Sequence, residues 1–187
     1  VWWLSEPQLD AEPTLSAKNK TFLKRIARKT WAYFDHFSTA EDHWLIPDNY
    51  QEQPGPVTAH RTSPTNIGLS LLANVSAYDF GFIPISDLLR RTDNCFGTLD
   101  RLARHEGHFY NWYDTQTLLP LPPRYISSVD SGNMAGHLLT LRAALQELPQ
   151  QRILHPRFFD GLFTTVDIMA TCFADRQQGS STSLPLD

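Results

Sequence analysis

Ser63-Pro-Thr-Asn-Ile-Gly-Leu-Ser-Leu-Leu-Ala-Asn-Val-Ser-Ala-Tyr-Asp-Phe-Gly81 is the stretch that decides the fold. Ser63 offers a hydroxyl to cap a helix, Pro64 suits its first turn, and Gly81 suits the stop at its far end. Between them Ile67, Leu71, Val75 and Tyr78 recur at steps of three and four, which places them on one helical face. A helix with one apolar stripe needs another element to cover it.

Working outward, the same period predicts four more helices. Upstream, Leu23, Ile26, Ala27, Thr30, Phe34 and Phe37 mark one over about 16–37, with Ser16 as its cap. Downstream, Pro84 and Ser86 open a third, whose stripe is Leu88, Thr92, Cys95, Leu99 and Leu102 and which is expected to end near Gly107. A fourth carries Met134, Leu138, Leu141, Leu145 and Leu148. A fifth carries Phe158, Leu162, Val166, Met169 and Phe173. No segment alternates over enough residues to demand a strand, so the expected class is all-α, built of antiparallel helical hairpins.

The connections alternate long, short, long, short. Residues 39–62 and about 107–129 are long, prolines breaking both, and both exceed the usual connection in a compact domain. If neighbouring helices are antiparallel, both long loops fall at one end of the bundle. The residues suited to function concentrate in those loops, as expected of a scaffold with one working face. Five helices form an odd, open set, and an apolar edge on the fifth would want a partner.

Composition sets limits. The chain has 187 residues, is 41% hydrophobic and carries a net charge of −4. A nucleic-acid binder would more often carry a basic surplus, so no nucleic-acid partner is expected. The basic run Lys18 to Lys29 lies on the first helix and reads as a solvated face, although the apolar Val1-Trp-Trp-Leu4 before it keeps a membrane-proximal role open. No stretch is long enough to cross a bilayer, and no signal peptide is apparent. Cys95 and Cys172 fall at apolar helical positions and read as buried thiols.

The second long loop contains Gly107-His-Phe-Tyr-Asn-Trp-Tyr-Asp114, then Pro123-Arg-Tyr-Ile-Ser-Ser-Val-Asp-Ser-Gly-Asn133. Aromatic rings beside amides and carboxylates offer flat apolar faces for a sugar and polar groups for its hydroxyls. The competing reading is a loop whose aromatics plug the end of a core.

Four motifs together carry a resemblance: Ala40-Glu-Asp-His-Trp-Leu-Ile-Pro-Asp-Asn-Tyr-Gln-Glu52, His60-Arg-Thr-Ser-Pro-Thr-Asn-Ile-Gly-Leu69, Gly107-His-Phe-Tyr-Asn-Trp-Tyr-Asp-Thr115 and Tyr125-Ile-Ser-Ser-Val-Asp-Ser-Gly-Asn-Met-Ala-Gly-His-Leu138. In this order they resemble the glucoamylase-like middle region of bacterial cyclic β-1,2-glucan synthases, over roughly residues 16–148. The resemblance implies part of an (α/α)6 toroid that cyclises linear glucan by transglycosylation. It implies a larger inner-membrane parent, with a transferase region using UDP-glucose as donor and a phosphorylase-like region. It implies β-1,2-glucan and the remaining domains as partners, and no cofactor for this region. Residues 1–15 then read as a linker after a membrane region, 16–175 as a partial toroid on the cytoplasmic side, and 176–187 as a flexible tail. Uncovered helix faces of such a piece would favour self-association.

Glycosyl transfer needs two carboxyl groups across the scissile bond. The loops hold Glu41, Asp42, Asp48, Glu52, Asp114 and Asp130, but the resemblance implies that the catalytic pair lies outside this chain. Asp114 and Asp130 are read as binding sugar hydroxyls or bracing a loop, with N-capping the alternative for Asp130. Arg61 either holds a carboxylate in the site or pins the first loop. Asn66 either reaches a ligand or bonds nearby backbone. Trp44, Tyr110, Trp112 and Tyr113 are the stacking candidates, about half of them expected to pack instead. The substrate-binding set is therefore Trp44, Asp48, Arg61, Tyr110, Trp112, Asp114 and Asp130. His105-Glu106-Gly107-His108 lacks the spacing of a zinc motif, so no metal is expected. The alternative to an enzyme part is a non-catalytic helical module that binds glucan or bridges domains.

Overall fold

Helix α2 (Pro64–Asp79) starts where Ser63 Oγ accepts the Asn66 backbone N–H at 3.2 Å, with Pro64 in its first turn. The computed structural model describes residues 14–152 and 155–180, so most of the linker expected over 1–15 and residues 181–187 of the tail expected over 176–187 lie outside the described residues, while 176–180 continue the fifth helix. The other helices are α1 (Ala17–Phe37), α3 (Ile85–Leu99), α4 (Ser128–Glu147) and α5 (Arg157–Ser180).

α2 is the central element: it packs along α4 and also touches α1 and α3. Its stripe is buried as the spacing requires, with Ile67 and Leu71 sealed between Leu99, Met134 and Leu141. Removing either side chain would cost about 2–5 kcal/mol through lost transfer energy and the cavity left behind. Gly68 lets the two helices approach, since a Cβ there would lie 2.9 Å from both Cβ and Cγ of His137 on α4. A second cluster, around Trp31, Ala77, Tyr78, Ile83 and Leu88, joins α1 to the far end of α2 and to α3.

The structure departs from the sequence reading in four places. α3 ends at Leu99, not near Gly107, because Arg104–His105 (β4) and His108–Phe109 (β5) form a hairpin. Its two turn residues, Glu106 and Gly107, have φ of 50° and 85°, as a type I′ turn requires. Four further two-residue strands pair as β1 (Tyr50–Gln51) with β2 (Val57–Thr58), and β3 (Arg61–Thr62) with β6 (Tyr113–Asp114). Strands this short cannot show alternation.

The buried residue of α1 is Trp31, whereas Leu23 and Ile26 are nearly half exposed. That first half of α1 meets α5 through polar pairs, Lys24 with Asp160 and Arg25 with Asp167, rather than through an apolar seam. The apolar stripe of α5 is likewise exposed, and with it Cys172, which is not the buried thiol expected; Cys95 is buried. Among the described residues no helix is long and apolar enough to cross a membrane.

Candidate functional site

The two long connections converge. β3 belongs to the first and β6 to the second, and their antiparallel pairing sets Arg61 opposite Asp114 and Thr62 opposite Tyr113. Thr115 reinforces the joint: its N–H donates to the His60 carbonyl at 3.0 Å and its hydroxyl donates to the buried Asp42 carboxylate. Asp42 also pairs with His60 Nδ1 at 2.8 Å. These bonds give Asp42 a bracing role inside the joint.

On the solvent side of that joint, Arg61 donates from Nε and Nη2 to Asp48 Oδ2, at 3.2 and 3.0 Å. Its guanidinium carbon lies 4.8 Å from the centroid of the Trp112 ring, so one residue ties the first loop's acid to the second loop's indole. Asn66, in the first turn of α2, donates to Asp48 Oδ1 at 3.1 Å, so its side chain is spent on the acid and not on nearby backbone. Both oxygens of Asp48 are thus occupied by donors from one pole of the bundle.

Asp130 is joined to Trp112 through Asn111. Ser127, not Asp130, caps α4, its hydroxyl accepting the Asp130 N–H at 3.1 Å. Asp130 Oδ1 accepts from the Thr65 hydroxyl at 2.7 Å, which links the first turns of α2 and α4. The amide orientation that satisfies its neighbours has Asn111 Nδ2 donating to Asp130 Oδ2 at 2.8 Å. In that orientation Asn111 Oδ1 accepts from Trp112 Nε1 and from the Tyr125 hydroxyl, each at 2.7 Å. Burial pushes the Asp130 carboxyl up, but the hydroxyl and backbone donors of Thr65, Ser127 and Ser63 outweigh it and leave the group below its ordinary value.

Asp114 is held similarly. Burial raises it, while the N–H groups of Thr117 and Gln116, at 2.7 and 2.9 Å from Oδ1, and the nearby His60 bring it below the ordinary value. A general acid in glycoside chemistry requires the opposite, a carboxyl whose proton is retained near neutral pH. Neither carboxyl therefore suits the acid's part, and the bonds that Asp114 receives from Gln116 and Thr117 and that Asp130 receives from Thr65 brace the chain around them.

The remaining candidates separate. Tyr110 packs on the core beside Tyr113, and Tyr113 is fully buried with its hydroxyl donating to the Ala103 carbonyl at 2.7 Å. His43 and Trp44 both take left-handed backbone, with φ of 52° and 63°. The chain there turns the Trp44 ring toward the flank of α3, where Arg90 lies 5.6 Å over it. So Asp48, Arg61, Trp112 and Asp130 form one connected group with Asp114 beside it, while Trp44 and Tyr110 are directed elsewhere. Sequence reasoning overlooked Thr65, Asn111 and Tyr125. A signal was present: Ser63–Asn66 and Ser127–Asp130 share a cap-plus-three spacing at two helix starts.

No protein-family model matches the chain. Across its whole length it is 39% identical to cyclic β-(1,2)-glucan synthase NdvB of Rhizobium meliloti (strain 1021). The chain is similar to a segment of a cyclic β-(1,2)-glucan synthase. It spans 7% of that relative's length. Among solved structures, a Bacteroides fragilis protein provisionally described as a glucoamylase matches 74% of this chain and 37% of its own, with a TM-score of 0.54 and 17% identity. That likeness concerns the fold: the chain is mostly helical and glucoamylase-like in architecture.

Proposed function

We propose that this chain contributes the glucan-binding face of a transglycosylation region in a cyclic β-1,2-glucan synthase. The observation that carries the reading is the Asp48–Arg61–Trp112 group, assembled from two loops by the β3–β6 pairing. A half-exposed guanidinium layered on an indole, with a carboxylate beside it, matches what a sugar needs: flat apolar surface edged by directional polar groups. The likeness to the Rhizobium synthase supports β-1,2-glucan as the ligand.

In this reading the five helices are part of an (α/α)6 toroid, and the catalytic carboxyl pair belongs to other parts of the parent. That agrees with the carboxylates of Asp114 and Asp130 being engaged by groups of this chain, Gln116 and Thr117 for the first and Thr65 and Asn111 for the second. The parent is an inner-membrane enzyme with UDP-glucose as donor in its transferase region, and this region faces the cytoplasm. The exposed apolar residues of α5, with Phe163 80% exposed, are covered by remaining domains of the parent or by a second copy.

The test is titration of linear β-1,2-glucan against the chain and its Trp112→Ala and Asp48→Asn variants. Both variants are expected to bind several-fold more weakly, and wild-type affinity in both removes this face from the site. Assayed alone, the 187-residue chain is expected to bind glucan without cyclising it. Cyclic product from the chain by itself would show that the carboxyl pair is complete. Binding without any contribution to cyclisation in the parent would favour the second reading, a non-catalytic glucan-binding module, which the bracing of Asp42, Asp114 and Asp130 also suits.

A further inference from the structure

We propose that Tyr125 is a second glucan-contacting aromatic, held in fixed register with Trp112 by Asn111 acting as a positioning residue. The inference rests on the glucan-binding reading above and extends it.

Asn111 is buried, 5% exposed, and its backbone N–H and both polar atoms of its side chain are engaged. Its backbone N–H donates to the Tyr125 carbonyl at 2.9 Å, and its side chain joins Asp130, Trp112 Nε1 and the Tyr125 hydroxyl. Because one oxygen accepts both Trp112 Nε1 and the Tyr125 hydroxyl at 2.7 Å, those two atoms are no further apart than two hydrogen bonds end to end. The two rings are thereby tied by their polar edges. Tyr125 itself is 46% exposed, with its hydroxyl committed inward. A tyrosine whose hydroxyl is anchored and whose body remains in solvent presents ring surface at low entropic cost.

Trp112 offers less surface than its size suggests, because Arg61 covers one face. A polymeric ligand lying on the Arg61–Trp112 layer needs a neighbouring surface for its next unit, and Tyr125 is the exposed aromatic bonded into the same network. Asp130, fixed in turn by Thr65, anchors Asn111 to the starts of α2 and α4, so the register is set by the helices and not by the loop.

The experiment measures binding of linear β-1,2-glucan and of glucose by the full-length protein. Tyr125→Ala is expected to weaken the polymer roughly three- to tenfold, within the range of an aromatic contact. Glucose, a single unit that cannot occupy both platforms, should be affected much less; equal losses for both ligands would overturn the paired-platform geometry. Asn111→Asp puts a second acid against Asp130. Polymer affinity should drop at neutral pH and recover in part on acidification, when a proton shared by the two acids restores the donor to Asp130. A loss without pH recovery would overturn the positioning role. Arg61→Ala separates the two levels of argument. If Arg61→Ala weakens the polymer while Tyr125→Ala binds as wild type, the Tyr125 assignment falls and the glucan-binding reading stands. If neither variant loses affinity, the reading itself falls.

Discussion

Arg61 stands directly opposite Asp114 in the pairing that joins the two long connections, yet its side chain turns away to Asp48 and Trp112. The backbone pairing and the side-chain contacts therefore do different work: one fixes where the loops meet, the other builds the surface they expose. Asp114 spends its carboxylate on the turn that follows it, through Gln116 and Thr117.

Arg61→Lys should behave almost as Arg61→Ala. An ammonium cannot give Asp48 two donors from one plane, nor lie flat on the Trp112 indole. Arg61 is about half exposed, so its ion pair is screened by water, and the stability lost should be only about 1 kcal/mol in either variant. The larger effect should appear in glucan affinity, read by calorimetric titration. Wild-type affinity in Arg61→Lys would show that charge alone, and not the layered geometry, serves the site.

Acid should weaken the joint between α2 and α4. Asp130 and Asp114 both titrate below the ordinary 3.8 in the folded chain. A depressed folded pKa means the unfolded chain binds protons first as pH falls, so the stabilisation is complete above the unfolded value and is lost below it. Denaturation curves should therefore be flat in this contribution at neutral pH and fall below about pH 4. In Asp130→Asn the acid limb should be shallower, since one of the two contributing carboxyls is gone. An identical acid limb in the variant would assign the loss to other groups.

Gly68→Ala should destabilise the protein although alanine is the better helix former. Intrinsic propensity favours alanine by up to about 1 kcal/mol. Against that, a Cβ at 68 meets His137 Cβ and Cγ at 2.9 Å, and Cβ cannot swing aside without moving α4. Overpacking of this kind costs typically about 1–3 kcal/mol, so the net change should be a lower melting temperature. His137→Ala in the same chain removes Cγ and the ring, and should restore part of the loss, the signature of two residues coupled through one contact. Additive losses would place the clash elsewhere.

The helices were legible because each carries its own period and punctuation. Ser63, Pro64 and the Ile67–Leu71–Tyr78 stripe specify α2 locally, and the structure buries that stripe. The convergence of the long loops was legible from connection length alone. What escaped was everything set by tertiary partners. Leu23 and Ile26 on α1 are as periodic as the stripe of α2, but period shows which face is apolar and not whether anything covers it. Trp44 and Trp112 look equivalent in sequence; two successive left-handed residues send one to α3, while Asn111 and Arg61 keep the other at the rim. A bond such as Asn66 to Asp48 depends on a loop returning across 18 positions, which no local pattern encodes.

The two cysteines offer a direct measure of what covers α5. Cys95 is buried among Leu71, Leu99 and Met134, and burial pushes its thiol up to about 12, so almost no thiolate forms at neutral pH. Cys172 is exposed on α5. In the isolated chain, a thiol reagent such as Ellman's should therefore modify one cysteine promptly and the second only after denaturant is added. In the full-length protein, remaining domains seated on α5 should slow Cys172 as well, leaving both thiols protected. Prompt reaction of Cys172 in both forms would show that this helix face stays open to water and would argue against its being a seam with the rest of the parent. Slow reaction in the isolated chain that speeds up on dilution would point to a second copy as the cover instead.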